Sequence, residues 1–166
     1  MRRAAVIFGG LALVIVALLV LVLGKEGVLT RSTPLLLELV PVDPRSLMQG
    51  DYMVLDYAVS REARISDESR VEDGRLVLRR DERGVGHFVR RETSGSSETL
   101  APGELWLRYT VRRGRVRLGA ESFFFQEGHA DRYATAKYGE LRVADDGTSV
   151  LVGLRDAELK PLGREP

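Results

Sequence analysis

The hydrophobic residues of this chain follow two different patterns. Residues 4–23 form one uninterrupted apolar run without a charged side chain. From Leu35 onward, short apolar stretches recur at period two and are separated by turns that contain Gly or Asp. The first pattern is typical of a membrane-spanning helix, and the second is typical of antiparallel strands joined by hairpins.

The apolar run predicts a retained membrane anchor. A helix over 4–23 would be about 30 Å long, which matches the hydrocarbon thickness of a bilayer. The run exceeds the roughly 7 to 15 apolar residues of a cleaved signal peptide, and no Ala-x-Ala cleavage site follows it. Because Arg2 and Arg3 precede the run, the positive-inside rule places the N-terminus in the cytoplasm and the rest of the chain outside.

The remaining residues predict a single mostly β domain, either a sandwich or an open barrel of about eight antiparallel strands with little helix. We therefore divide the chain into a cytoplasmic tip and anchor (1–24), a juxtamembrane linker (25–34) and an extracytoplasmic β domain (35–166). The stretch 35–42 is apolar on both faces except at Glu38, which predicts a central strand ended by Pro41.

Alternation along 52–59 predicts a second strand with one buried face. That face carries Met53, Leu55, Tyr57 and Val59. The polar residues 60–73 predict a connection with one or two helical turns.

Three hairpins are indicated by turn residues between alternating stretches. Their turns are at 81–84, 112–114 and 145–148. Residues 123–125 predict a short aromatic strand, and the alanine content of 127–138 favours a short helix or an ordered loop.

Composition excludes several classes of function. The formal net charge is +1, and setting aside Arg2 and Arg3 leaves 23 basic against 24 acidic side chains, so the domain has no electrostatic footprint for nucleic acid. The absence of cysteine excludes disulfides, thiolate metal sites and cysteine nucleophiles. We expect neither a metal nor a cofactor.

The most distinctive polar segment is 50–57, in which a Gly-Asp turn leads directly into a strand with tyrosine near both ends. As a functional element, Arg45, Asp51 and Tyr52 would form a recognition surface at the rim of the sheet. As a purely structural element, Gly50 and Asp51 would shape the turn, and the apolar residues after it would pack in the core.

A second cluster places two carboxylates and a histidine within nine residues, at Glu121, Glu127 and His129. These groups could act as paired carboxylates or bind a metal. The spacing is a weak signal for a metal, and the chain has only one other histidine, His87. The structural alternative is that this segment is a loop next to phenylalanines that pack in the core.

A Ser-Lys protease of the signal-peptidase type does not fit the sequence. In those enzymes the nucleophilic serine lies eight residues before the Gly-Asp pair, where this chain has Val42. No lysine between Lys25 and Lys137 could act as the base, and no serine lies in a nucleophile elbow.

With these residues in view, the chain resembles the bacterial GDYXXLXY family. The defining motif is complete here, as Gly50, Asp51, Tyr52, Leu55 and Tyr57, and the segment 119–128 resembles the family's second block, with Gln126 where proline is more usual. The resemblance covers about 35–154. It implies a membrane-anchored protein of uncharacterised activity in the bacterial inner membrane, of a kind often encoded beside or fused to polytopic membrane proteins, and no catalytic residue carries over from it.

The leading hypothesis is a non-enzymatic envelope protein that docks on a polytopic membrane protein or a periplasmic ligand. The docking surface would combine the rim at 50–57 with the loop at 121–129. The alternative is a membrane-tethered hydrolase that uses the carboxylates of Asp51, Glu121 and Glu127, which would have to lie about 5 to 10 Å apart in one pocket. A third possibility is a purely structural domain.

Overall fold

The structure is a computed structural model that describes residues 10–11, 13–18, 32–40, 52–63, 72–93 and 99–163. Within these ranges, no helix has the length and hydrophobicity needed to cross a membrane. Most of the predicted anchor at 4–23 lies outside the described residues, and so do Pro41 and most of the predicted linker.

The described residues form nine strands, one short α-helix and one 3-10 helix. The strands are β1 (Thr33–Glu38), β2 (Tyr52–Val54), β3 (Glu72–Arg80), β4 (Gly86–Thr93), β5 (Glu104–Arg112), β6 (Arg115–Arg117), β7 (Ser122–Phe124), β8 (Tyr138–Val143) and β9 (Ser149–Arg155). Helix α1 spans Ala58–Glu62, and the 3-10 helix spans Ala130–Tyr133. The prediction of a mostly β domain with little helix is therefore confirmed.

The strands pair in three antiparallel sheets. Their orders are β4-β3-β5-β6, β1-β8-β9 and β2-β7. The two larger sheets meet where the Leu36 N–H donates to the Gly84 carbonyl over 2.9 Å. They also meet where the Arg108 N–H donates to the Gly147 carbonyl over 2.8 Å. These backbone contacts join the sheets into a half-barrel around one core.

All three predicted hairpins are present, because their turns are stabilised locally. At the β3–β4 turn, the Asp81 carboxylate accepts hydrogen bonds from the N–H groups of Arg83 and Val85. The β5–β6 loop consists of two residues, Arg113 (φ 53°) and Gly114 (φ 70°), as a type I′ turn requires. At the β8–β9 turn, Asp146 accepts from the N–H of Thr148.

The core is formed by the inward faces of the sheets. Its largest fully buried side chains are Tyr57, Leu35, Leu37, Leu76, Leu78, Leu107, Leu141, Leu154, Val77 and Val111. The strand face that the sequence predicts to be buried at 52–59 belongs to this core. The side chains of Met53, Leu55, Tyr57 and Val59 are each at most 3% exposed.

The prediction that the first strand is central is wrong. Among the described strands, the ladder of β1 pairs with β8 alone, so β1 lies at the edge of the three-stranded sheet. Both faces are nevertheless buried, because Leu35 and Leu37 face the core while Leu36 packs beside the β3–β4 turn. Apolar residues on both faces predict a central strand, but here the second face is covered by a neighbouring turn.

One further prediction needs correction. The strand predicted over 52–59 ends at Val54, and α1 begins at Ala58 after a single bridge between Tyr57 and Leu39. Tertiary contacts override local propensity there. The prediction of a short helix or an ordered loop over 127–138 is confirmed, because this segment is a loop that contains the four-residue 3-10 helix and ends where Tyr138 pairs in β8.

We expect Gly139→Ala to destabilise the fold by about 1 to 3 kcal/mol, as overpacking does in a close-packed core. A methyl group at Gly139 would lie 2.9 Å from Cε1 of Tyr57, whose ring is fixed in the core. Gly153→Ala, on the adjoining strand, is the matched control because its new methyl group would meet nothing closer than 3.8 Å. Urea unfolding of both variants measures the difference, and equal stabilities would contradict this packing.

Candidate functional site

The structure describes four of the six candidate binding residues. These are Tyr52 in β2, Glu121 just before β7, Glu127 in the following loop and His129 at the start of the 3-10 helix. Arg45 and Asp51 lie outside the described residues, and so does Gly50 of the motif.

The motif and the second block are in direct contact. The Leu55 N–H donates to the Glu121 carbonyl over 2.8 Å, and the Tyr57 hydroxyl donates to the Ala120 carbonyl over 2.7 Å. Strand β2 also pairs with β7, so that Met53 lies opposite Phe123. The two segments that the sequence singled out separately therefore form one unit, the motif junction.

The phenol of Tyr57 is a neutral hydrogen-bond donor at this junction. Its side chain is 1% exposed, and burial raises its pKa far above the ordinary value, with the negative charge of Glu121 as a smaller cause. A neutral phenol can donate to the buried Ala120 carbonyl, whereas a phenolate could not.

The carboxylate of Glu121 stabilises a turn. Its Oε1 accepts hydrogen bonds from the N–H groups of Leu118 and Gly119, and Gly119 has a left-handed φ of 77°. A carboxylate with these two donors fixes the backbone that connects β6 to β7. Sequence reasoning gave Glu121 a binding or catalytic role and missed this structural one.

The other two members of the predicted acidic cluster make no contact with Glu121. Glu127 is exposed, and His129 takes part in the loop through its backbone groups, while no hydrogen bond or ion pair links either side chain to Glu121 in the described ranges. Among those residues, no group of three or more His, Cys, Asp or Glu side chains could hold a metal ion.

A cleft of about 540 Å³ lies between the motif and β6, and we call it the β6 cleft. One wall is 54–56 of the motif with Ser60 and Arg61 of α1, and the facing wall is 114–117, with Glu121 also lining the cleft. A smaller cavity of about 280 Å³ shares Arg117 and Glu121 with it. The volume of the larger cleft is within the usual range for ligand-binding pockets.

Arginines dominate the charge of the β6 cleft. The guanidinium of Arg61 is paired with Asp56 at 2.8 Å, which neutralises both groups. Arg115 and Arg117 are exposed and have no carboxylate partner among the described side chains. Arg112 lies directly opposite Arg115 in the ladder and adds a like charge to the same face. The β6 side of the cleft is therefore electropositive.

The sequence pattern alone gives no reason to single out these arginines. The stretch 112–117 (RRGRVR) predicts only a hairpin turn and its flanks. Alternation of Arg115, buried Val116 and Arg117 places both guanidinium groups on one face of the strand. What the sequence could not show is that this face borders a cleft formed by the motif.

An apolar surface adjoins the same cleft. Tyr52 lies opposite Phe124, and their ring centroids are 5.8 Å apart. Phe124 is 73% exposed and Val54, which also lines the β6 cleft, is 42% exposed. Exposed aromatic and aliphatic side chains grouped in this way are typical of interaction surfaces.

We expect Tyr57→Phe to lower the free energy of unfolding by about 1 to 3 kcal/mol, because the buried Ala120 carbonyl loses its donor. Tyr57→Ala should cost about 3 to 5 kcal/mol, because it also removes the packed ring. Chemical denaturation measures both losses. Tyr138→Phe is the control, since within the described part of the chain that hydroxyl makes no hydrogen bond. Equal effects of the two Tyr→Phe substitutions would contradict this role for Tyr57.

The raised pKa of Tyr57 also predicts a dependence on pH. Because the native state holds the phenol proton more tightly than the unfolded state, the stabilisation is complete below the unfolded pKa of about 10 and is lost as the pH rises above it. The stability difference between wild type and Tyr57→Phe should therefore narrow from about pH 8 to about pH 11. A difference that stays constant would show that Tyr57 ionises alike in both states.

One comparison with known proteins found a match. A family model described as GDYXXLXY protein matches residues 14–154, which include the motif, the second block and every strand up to β9 except its last residue. No curated protein and no solved structure matches the chain. On the extent of the family match, the chain belongs to the GDYXXLXY protein family.

Proposed function

We propose that this chain is a membrane-anchored, extracytoplasmic interaction module of the bacterial envelope that docks on a polytopic membrane protein through the β6 cleft. One observation carries the proposal. The family motif supplies one wall of a cleft, and the opposite wall presents arginines that no described carboxylate neutralises.

The structural role of the motif supports docking at this place. Leu55 and Tyr57 are buried and hold the second block, whereas Val54 and Asp56 alternate with them in sequence, are more exposed and border the cleft. The buried positions thus fix the geometry of the wall, and the intervening positions are available to a partner. This division explains why a motif with core residues can still define a binding surface.

The membrane anchor rests on the apolar run at 4–23 and on the few described positions within it. The backbone is helical at 10–11 and 13–18. Large apolar side chains there are exposed in the isolated chain, namely Leu11, Leu13, Val14, Ile15, Val16 and Leu18. Lipid would cover such a surface, and Arg2 and Arg3 orient the N-terminus toward the cytoplasm.

The hydrogen bonds of Glu121 support a non-enzymatic role. The carboxylate is engaged by two backbone N–H groups, which suits a turn-forming residue better than a general acid or base. No observation on the described residues favours the alternative hydrolase built on Asp51, Glu121 and Glu127, and it stays a prediction.

Affinity capture tests the docking proposal with the full chain solubilised from membranes. Ser60→Trp should fill the β6 cleft from α1 and remove a polytopic partner from the captured proteins. Glu62→Trp adds the same bulk to an exposed position of α1 outside the cleft and should leave capture unchanged. Circular dichroism verifies the folding of both variants. Equal capture by both would overturn the cleft as the docking site.

Deletion of residues 4–23 should release the protein from membranes, because the apolar run is the proposed anchor. Wild type should remain in the membrane pellet after alkaline carbonate extraction, and the deletion variant should appear in the soluble fraction. A deletion variant that still sediments with membranes would require a second membrane contact.

A further inference from the structure

Within the described part of the chain, strand β6 leaves one edge of the four-stranded sheet open. Its ladder joins β5 alone among the described strands, with Arg112 opposite Arg115 and Val111 opposite Val116. The pair that flanks a two-residue hairpin loop exchanges both backbone hydrogen bonds, and the next pair exchanges none. The N–H and C=O of Val116 therefore point away from β5, toward the β6 cleft.

The cleft follows this open edge. Four consecutive residues, 114–117, line it although the Val116 side chain itself is buried, so the backbone of β6 forms part of its wall. Val54 and Leu55 contribute apolar surface on the other side. An extended peptide that adds to a sheet edge uses the same combination of a free backbone edge and side-chain surfaces next to it.

The positive charge of the cleft favours an acidic binding partner. Three arginines, Arg61, Arg115 and Arg117, line the cleft together with two carboxylates, Asp56 and Glu121, so one positive charge is in excess. Asp56 is paired with Arg61, and Glu121 accepts the turn N–H groups. Arg115 and Arg117 remain, on alternate positions of the strand and therefore on one face. Opposite charges placed directly across a strand pair stabilise it, whereas like charges destabilise it.

We infer that the partner docks by an extended segment that adds as a strand to the open edge of β6, with acidic residues at alternate positions opposite Arg115 and Arg117. Its intervening residue is apolar and lies on the same face as Val116. This inference rests on the proposed function and names the chemistry of the docked segment.

A simpler explanation of the same arginines exists, and the experiment must distinguish it from peptide binding. Charged side chains on a short edge strand hinder edge-to-edge aggregation without any partner. On that explanation, removal of Arg115 and Arg117 would increase self-association and leave the binding of an acidic strand unchanged.

The test uses the full chain in detergent and a fluorescent peptide, GSEVEVEGS, with its lysine counterpart GSKVKVKGS as the probe of opposite charge. Fluorescence anisotropy should show binding of the acidic peptide only, weakened by added salt. R115Q/R117Q should reduce the affinity about 2- to 30-fold, the expected effect of losing two cross-strand ion pairs. R83Q/R113N removes two exposed charges from turns and should leave the affinity unchanged.

Hydrogen exchange distinguishes strand addition from simple charge attraction. The Val116 amide should become protected when the acidic peptide binds, because it then donates to the added strand. Binding without protection of Val116 would overturn strand addition, and so would equal competition by inorganic phosphate or by phosphatidylglycerol vesicles. Unchanged affinity in R115Q/R117Q would overturn the role of the arginines.

The experiments distinguish a failure of this inference from a failure of the proposed function. If Ser60→Trp abolishes capture of the polytopic partner while R115Q/R117Q retains it, the docking cleft stands and the acidic strand is wrong. If neither variant affects capture although the peptide binds as expected, the edge is a peptide site and the docking proposal fails.

Discussion

The fold depends on the hydrogen bond between the Tyr57 hydroxyl and the Ala120 carbonyl. It joins residues 63 positions apart, and both atoms are buried, so neither could find water as a substitute. The ring lies against Gly139 of β8, and the backbone beside it continues into the contact between Leu55 and Glu121. Through these contacts, one side chain connects the two-stranded sheet, the three-stranded sheet and the turn after β6.

This dependence explains why the family motif contains both buried and exposed positions. A buried tyrosine with one hydrogen bond permits a single arrangement of the backbone around it, because an unmade bond at that depth is costly. The side chains of the residues next to Tyr57 in sequence then point in fixed directions. The cleft is the product of that rigidity, since residues 54–56, which line it, are held by the hydrogen bonds of Leu55 and Tyr57 to the second block.

The parts of the fold that depend on neighbouring residues could be predicted from the sequence. Hairpins with turns at 81–84, 112–114 and 145–148 follow from turn chemistry and alternation, and all three are present. Pairings between distant strands could not be predicted in the same way. Nothing local indicates that β1 pairs with β8 or β2 with β7, and the apolar character of β1 wrongly suggested a central position.

The candidate site shows the same limit. The sequence singles out the two segments that meet at the motif junction, but it gives Glu121 a binding or catalytic role because a carboxylate near a histidine resembles a site. Only the three-dimensional turn shows that Glu121 accepts backbone N–H groups. The arginines of β6 could not be singled out from the sequence, because the other wall of the cleft that they border comes from a segment distant in sequence.

The pairing of β1 with β8 has a consequence for biosynthesis. Leu35, Leu36 and Leu37 emerge early, yet the strand that completes their burial is made only near the end of the chain. A contact between such distant segments requires the closure of a long loop before any stabilisation is gained. The three-stranded sheet can therefore form only after β8 has been made, whereas the hairpins β3–β4 and β5–β6 join neighbouring segments and do not have to wait for it.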